Sequence, residues 1–112
     1  MQKELLLVLS FVVIVGTTLL ILFLDTGPSQ SELDSAVGKA KQLYYEANLN
    51  GTDFSSGPCL SNALMPGWVV DIVHDPRQDI DDLDQNMCPA YKEGRAKHFV
   101  ELSPEGNLIR VK

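Results

Sequence analysis

Two cysteines carry the most specific chemistry in this sequence, Cys59 and Cys88. These residues follow an apolar run that is predicted below to span a membrane, and a pair of cysteines on its oxidising side usually forms a disulfide. The sequence lacks the Cys-x-x-Cys spacing that is typical of redox pairs. Closing a loop of this length would stabilise the fold by roughly 3–4 kcal/mol in the chain-entropy model. We therefore predict a structural disulfide between Cys59 and Cys88.

The two histidines, His74 and His98, would complete a Cys₂His₂ zinc set if they met the cysteines in space. His74 ends one predicted strand and His98 begins the next, so antiparallel pairing of those strands would bring the two rings together. Structural zinc sites usually contain closely spaced pairs of ligands, whereas every ligand here is isolated in the sequence. The sequence therefore favours two partly exposed strand-end histidines over a zinc site.

A cluster of acidic residues forms the third candidate site. Its aspartates fall within six residues: Asp79, Asp81, Asp82 and Asp84. Counted from Asp82, oxygen ligands stand at positions 1, 3, 5 and 12, as in a calcium-binding EF-hand loop: Asp82, Asp84, Asn86 and Glu93. Met87 occupies the sixth position, where glycine makes the sharp turn, and Pro89 interrupts the loop. We expect no specific calcium site, and we expect the aspartates to point into solvent.

No motif commits the chain to a reaction or to a cofactor. The sequence holds no Gly-x-Ser-x-Gly elbow, phosphate-binding loop or His-Glu-x-x-His motif. No carboxylate is singled out by its neighbours, so we expect neither catalysis nor a bound cofactor. The formal net charge of -6 repels phosphate backbones, which argues against nucleic-acid binding.

An uncharged apolar run, Leu5–Leu24, precedes all of these residues. Twenty such residues match the hydrocarbon thickness of a bilayer as a helix, and no Ala-x-Ala cleavage pattern follows. Residues 1–24 are therefore predicted to be an uncleaved transmembrane signal-anchor, with the lipid bilayer as the partner of residues 5–24. Lys3 lies before the run and Asp25 after it, so the N-terminus is expected in the cytoplasm and the rest of this single-pass chain outside.

A short linker, residues 25–30, is predicted to lead into one extracytoplasmic domain, residues 31–112. Ser31 is expected to start an amphipathic helix, because apolar residues then recur at helical spacing. They are Leu33, Ala36, Val37, Ala40, Leu43, Tyr44 and Ala47. Residues 52–67 are predicted to be a loop that ends in a tight turn at Met65–Gly67.

Three short β-branched and aromatic segments are typical of strands. They are Trp68–His74, His98–Leu102 and Leu108–Val111. The last two flank a turn, and pairing Ser103 with Asn107 would place Val100 opposite Arg110. The order of elements predicts an α+β fold, with one helix packed on a three-stranded antiparallel sheet and a long disulfide-tied loop.

This layout resembles that of type IV pilin-like proteins, including the pseudopilins of secretion systems. In that family an apolar N-terminal helix leads into an amphipathic helix and a small antiparallel sheet, often with a disulfide-bounded loop. Here Leu5–Leu24, Leu33–Ala47 and the three strands follow the same order. The resemblance implies a filament or pseudopilus subunit, and the Gly–Phe processing site of that family is absent from Met1–Leu5.

The sequence thus supports a membrane-anchored interaction or structural domain on the extracytoplasmic side, with an unidentified protein partner and no catalytic activity. One alternative is a pilin-like filament subunit, to which the resemblance points. A second alternative is a calcium-binding surface module built on the acidic cluster.

Overall fold

Helix α1, Gln30–Leu49, packs on a four-stranded sheet in the computed structural model, which describes residues 27–112. The strands β1 to β4 are Cys59–Met65, Trp68–Ile72, His98–Leu102 and Leu108–Val111. Between β2 and β3 lie two 3₁₀ turns, Asp79–Asp82 and Asp84–Asn86, and a short helix α2, Pro89–Lys92. Among residues 27–112, no helix is long and apolar enough to cross a membrane. The predicted span Leu5–Leu24 lies outside the described residues.

Helix α1 begins at Gln30, one residue before the predicted start, and Ser29 is its N-cap. The Ser29 Oγ accepts a hydrogen bond of 3.2 Å from the Glu32 amide, which satisfies one of the free N–H groups of the first turn. The apolar stripe faces the sheet as its spacing predicted, and two of its three alanines, Ala36 and Ala40, are fully buried. Because alanine side chains are small, the helix axis lies close to the sheet along this stripe.

The predicted three-stranded antiparallel sheet is wrong. The sheet has four strands in the order β1-β2-β3-β4, and β2 pairs with β3 in parallel, with Trp68 beside His98 and Ile72 beside Leu102. A parallel pair needs a connection long enough to return the chain to the same end of the sheet. Residues 73–97 supply that connection, and we call them the crossover.

Strand β1 lies within residues 52–67, which the sequence predicted to be a loop. It is an edge strand that pairs antiparallel with β2 through two register shifts. Most of its residues are only partly buried, in no alternating pattern. An irregular edge strand therefore lacks the period-two signal from which a strand is predicted.

The hairpin of β3 and β4 contains a bulge that changes which side chains share a face. Leu102 pairs with Leu108, but Glu101 then pairs with Arg110 and Val100 with Val111. The predicted pairing of Val100 with Arg110 is therefore wrong by one residue, because a bulge places two residues of one strand opposite one of the other. The shift brings Arg110 opposite Glu101.

The sheet is covered on both faces, and the two coverings differ in chemistry. The face under α1 is apolar and fully buried, and its core consists of Ala36, Ala40, Phe54, Trp68, Val70, Ile72, Val100 and Leu102. The opposite face is covered by the crossover through a smaller cluster, Val69, Cys88, Ala90, Ala96 and Phe99. Polar side chains of β2, β3 and β4 share that second face with the cluster.

Candidate functional site

The disulfide ties the crossover to the sheet. Cys59 is the first residue of β1, and Cys88 precedes α2 in the crossover. The two residues are bonded, with their Cα atoms 5.0 Å apart, so the predicted disulfide is confirmed. The Ala90 amide adds a second tie by donating to Asn62 Oδ1 of β1 at 2.7 Å. These two links hold the crossover over the second face of the sheet.

Between the crossover and the sheet lies a cleft of about 300 Å³. The sheet contributes side chains from β2, β3 and β4, and the crossover contributes the opposite wall. The lining residues are Val69, Asp71, Arg77, Met87, Cys88, Tyr91, Phe99, Glu101 and Arg110. About half of the lining is apolar or aromatic and the rest is charged, which is typical of pockets that bind small organic molecules.

Glu101 lies at the polar end of the cleft with both of its oxygens engaged. The Arg77 guanidinium donates to one oxygen at 3.0 Å, and Arg110 Nε donates to the other at 2.8 Å. The Glu101 side chain is only 8% exposed, whereas those of Arg77 and Arg110 are 43% and 60% exposed, so the guanidinium groups reach Glu101 from the solvent side. Arg110 also lies over the ring of Phe99, 4.8 Å from its centre. The bulge in the β3–β4 hairpin therefore places Arg110 in the lining of the cleft.

Asp71 is the carboxyl group of the cleft that lacks a matching partner. It is the register neighbour of Glu101 on the adjacent parallel strand, and its Oδ1 is buried without a hydrogen-bond partner. Burial raises the pKa of Asp71 from its ordinary value of 3.8 to about 8, and the negative charge of Glu101 adds to the rise. The cleft therefore holds one carboxyl group with a raised pKa, Asp71, beside Glu101, which lies in two ion pairs.

Two neighbouring carboxyl groups with different protonation states can serve acid–base chemistry. Here both oxygens of Glu101 are already engaged, because each accepts a hydrogen bond from a guanidinium group. Asp71 in its neutral form can donate a hydrogen bond, and in its ionised form it can neutralise a cation. The arrangement is suited to recognition of a polar group more than to proton transfer.

The structure places the two histidines at opposite ends of β2 and β3. His98 lies beside Trp68 at the start of the parallel pair, with the two rings stacked 4.9 Å apart. His74 follows the far end of β2, so the antiparallel meeting of the two rings does not occur. Both cysteines are used in the disulfide. The four candidate zinc ligands are therefore not brought together.

Asp81 contradicts the expectation that the clustered aspartates point into solvent. Its side chain is fully buried and accepts hydrogen bonds from the His74 amide, the His74 ring Nδ1 and the Gln78 amide at 2.8–3.0 Å. Burial alone would raise the pKa of Asp81, but these hydrogen bonds together hold it below its ordinary value. Gly57, with φ of 68°, packs so closely against this carboxylate that a Cβ would collide with it.

The candidate calcium ligands each have a partner of their own. Three of them lie in exposed ion pairs: Asp82 with Arg77, Asp84 with Lys92 and Glu93 with Arg95. The fourth, Asn86, is buried and its amide donates to the Ile80 carbonyl at 2.9 Å. Within residues 27–112, no three Asp, Glu, His or Cys side chains gather where a metal ion could be held.

No family model, curated protein or solved structure matches this chain.

The sequence did not predict the cleft or its two central carboxyl groups, Asp71 and Glu101. A sequence signal for the cleft was present only in part, because Asp71 and Glu101 each interrupt an otherwise apolar strand. Their meeting depends on the parallel register of β2 and β3, which the strand sequences do not specify.

Proposed function

We propose that this chain is a membrane-tethered, extracytoplasmic binding domain that holds a small ligand in the cleft between the crossover and the sheet. The observation that carries the proposal is the cleft itself, lined partly by apolar and aromatic side chains, in which one carboxyl oxygen, Asp71 Oδ1, is buried without a hydrogen-bond partner. A buried polar atom without a partner costs stability, and proteins commonly keep such groups where they meet a ligand. The disulfide preserves the cleft by fixing one of its walls.

A binding role fits the lining better than a catalytic role. The lining residues include no Ser, Thr, His or Lys, and their one cysteine, Cys88, is bonded to Cys59. A nucleophile with an adjacent base is the usual requirement for covalent catalysis. Glu101, the remaining carboxylate, is occupied by its two arginines. The residues of the cleft thus provide recognition without an evident reacting group.

The binding test uses two methionines as reporters. Met87 lines the cleft, whereas Met65 packs against the core on the other side of the sheet. With methyl-labelled methionine, a screen of small organic fragments of mixed charge should include compounds that shift the Met87 resonance and leave Met65 unmoved. A screen in which no compound moves Met87, or every active compound moves both, would contradict a ligand site in the cleft.

The location of the domain is supported by the apolar run before it and by the charge asymmetry around that run. A disulfide is also typical of compartments outside the cytoplasm. Protease added to intact cells stripped of their outer layers should digest residues 27–112. Digestion that occurs only after the membrane is lysed would contradict the proposed orientation.

The alternative proposal is a pilin-like filament subunit. It is favoured by an amphipathic helix that follows the apolar run closely and packs on the sheet. Intact mass measured on the protein from its native membrane discriminates between the two proposals. A chain that starts at Met1 supports the anchored domain, whereas a trimmed and methylated N-terminus supports the filament subunit.

A further inference from the structure

We infer that the ligand of the cleft is a small primary amine, whose ammonium group lies beside Asp71 and whose apolar body lies against Tyr91 and Phe99. The inference rests on the proposed binding function of the cleft and names the class of its ligand. It is carried by three features of the lining: the balance of charge, the position of the unpartnered carboxyl group and the arrangement of the apolar walls.

The charges around the cleft are balanced except at Asp71. Two guanidinium groups, Arg77 and Arg110, face the carboxylates Glu101 and Asp82, and all four are engaged in ion pairs. Both guanidinium groups are thus taken up by Glu101 and Asp82, so an ionised Asp71 has no ion-pair partner of its own, and only the field of the nearby Arg77 offsets its charge in part. Asp81 adds to the negative field at Asp71 from the neighbouring 3₁₀ turn. A ligand that carries one positive charge would complete the balance.

An ammonium group fits this environment better than a metal ion does. Divalent cations such as Ca²⁺ require six or more oxygen ligands, and no three acidic or metal-binding side chains converge within residues 27–112. The two guanidinium groups would also repel a doubly charged ion. An ammonium group has a single charge and three hydrogen-bond donors, which suit a site with one free carboxyl group.

The apolar part of the cleft indicates what the ammonium group is attached to. Tyr91 and Phe99 meet edge to face with their ring centres 5.2 Å apart, and together they form an aromatic corner. Val69, two residues before Asp71 on β2, and Met87 also line the cleft. A volume of about 300 Å³ lies at the small end of ligand pockets, so the apolar body is one ring or a short chain.

Proton exchange should accompany binding. Because the pKa of Asp71 is raised to about 8, the free protein holds a proton there at neutral pH. Pairing with an ammonium group favours the ionised carboxylate, so binding transfers that proton to the buffer. The amine keeps its own charge up to about pH 10. Affinity should therefore rise by up to about tenfold per pH unit between about pH 6 and pH 8.

The test compares three compounds that share one phenylethyl body and differ in charge: phenethylamine, phenethyl alcohol and hydrocinnamate. Each is titrated into the full chain in a non-ionic detergent, with calorimetry and the Met87 methyl resonance as readouts. The amine should bind at least about tenfold more tightly than the neutral and anionic compounds. At neutral pH, calorimetry in buffers of different ionisation enthalpy should detect release of up to one proton.

Variants separate the role of Asp71 from a general loss of charge. Asp71→Asn keeps the shape of the side chain and should weaken amine binding at least about tenfold, with binding of the alcohol unchanged. Glu105→Gln removes an exposed carboxylate in the β3–β4 turn, outside the cleft lining, and should leave amine binding unchanged. Proton release is measured on the unmodified chain, so the test does not depend on the folding of a variant.

The outcomes distinguish the two proposals. If the alcohol or the acid binds as tightly as the amine, or if amine binding releases no proton, the inferred ligand class is wrong while the cleft remains a binding site. If other classes of fragment shift the Met87 methyl resonance and the amine does not, the inferred ligand class is wrong and the cleft remains a binding site. If no compound of any class moves Met87, the proposed function itself fails.

Discussion

Two aspartates in opposite surroundings, one fully buried and one partly buried, define this domain at the scale of single residues. Asp81 is enclosed by hydrogen-bond donors from His74 and Gln78, and its pKa is held below the ordinary value. Asp71 has a buried oxygen without a donor, and its pKa is raised to about 8. Asp81 therefore anchors a loop, whereas Asp71 leaves an oxygen without a hydrogen-bond donor in the cleft.

Replacing Asp71 with Asn should change how stability depends on pH. The folded chain keeps a proton on Asp71 between its ordinary pKa of 3.8 and about 8, whereas the unfolded chain loses it. The free energy of unfolding therefore falls as pH rises through that window, and the loss is complete above about pH 8. Asp71→Asn should be more stable than the unmodified chain by roughly 2–4 kcal/mol at about pH 9, and similar near pH 4.

Urea unfolding followed by the fluorescence of the single tryptophan, Trp68, measures this difference. Trp68 is buried on the α1 face of the sheet, away from the substituted residue, so its signal reports unfolding. Glu105→Gln serves as the control, because that carboxylate is exposed. Parallel stability curves for the unmodified chain and Asp71→Asn would contradict the raised pKa.

Millimolar calcium should have little effect on the melting temperature. The exposed candidate ligands already lie within 2.6–2.9 Å of basic partners, and Asn86 uses its amide to bind the Ile80 carbonyl. Ligand binding raises stability only when it favours the folded state, so a shift below about 2 °C is expected. A larger rise that is abolished by Asp82→Ala or Glu93→Ala would show that calcium binds here.

The residues differ in how much of their role could be read from the sequence. The disulfide was predictable, because a lone pair of cysteines has one pairing. The roles of Asp71 and Asp81 were not, since each depends on which groups the fold brings close to a carboxylate. Four aspartates in six residues look alike in the sequence, yet one of them is fully buried.

At the scale of elements, the residue patterns within single segments predicted the helix and the hairpin that those segments form. The helical spacing from Leu33 to Ala47 identified α1, and the turn residues identified the β3–β4 hairpin. The parallel pairing of β2 with β3 was not predictable from the strands, because a pair of apolar strands fits either direction. The length of the crossover, residues 73–97, permits the parallel arrangement. The bulge near Leu108 was likewise hidden, and it decides the position of Arg110.

Removing the disulfide should destabilise the domain by releasing the crossover. The bond closes a loop with a sequence separation of 29 residues, for which the chain-entropy model gives roughly 3–4 kcal/mol. The double variant Cys59→Ser with Cys88→Ser leaves no free thiol and should lose about that much free energy of unfolding. Urea unfolding measures the loss, with the chemically reduced chain as a second sample. A loss below about 1 kcal/mol would show that other contacts hold the crossover.

At the scale of the whole molecule, the two faces of the sheet differ in chemistry. The α1 face is a continuous apolar core, and it is tied to the helix by a hydrogen bond of 2.9 Å from Trp68 Nε1 to Glu32. The crossover face combines a small apolar cluster with the charged cleft. A sheet that is stabilised mainly from one side can use the other side for binding. The predicted anchor, residues 5–24, would hold that binding face outside the membrane.

The measurement that tests this account most directly is the titration of the Asp71 carboxyl group by NMR of its side-chain carbon. Both the cleft as a binding site and the amine as its ligand depend on a carboxyl group whose Oδ1 is buried without a hydrogen-bond partner. We expect a midpoint near pH 8 in the free protein, moved to lower pH by saturating phenethylamine. A midpoint near the ordinary value of 3.8, unchanged by the amine, would contradict it.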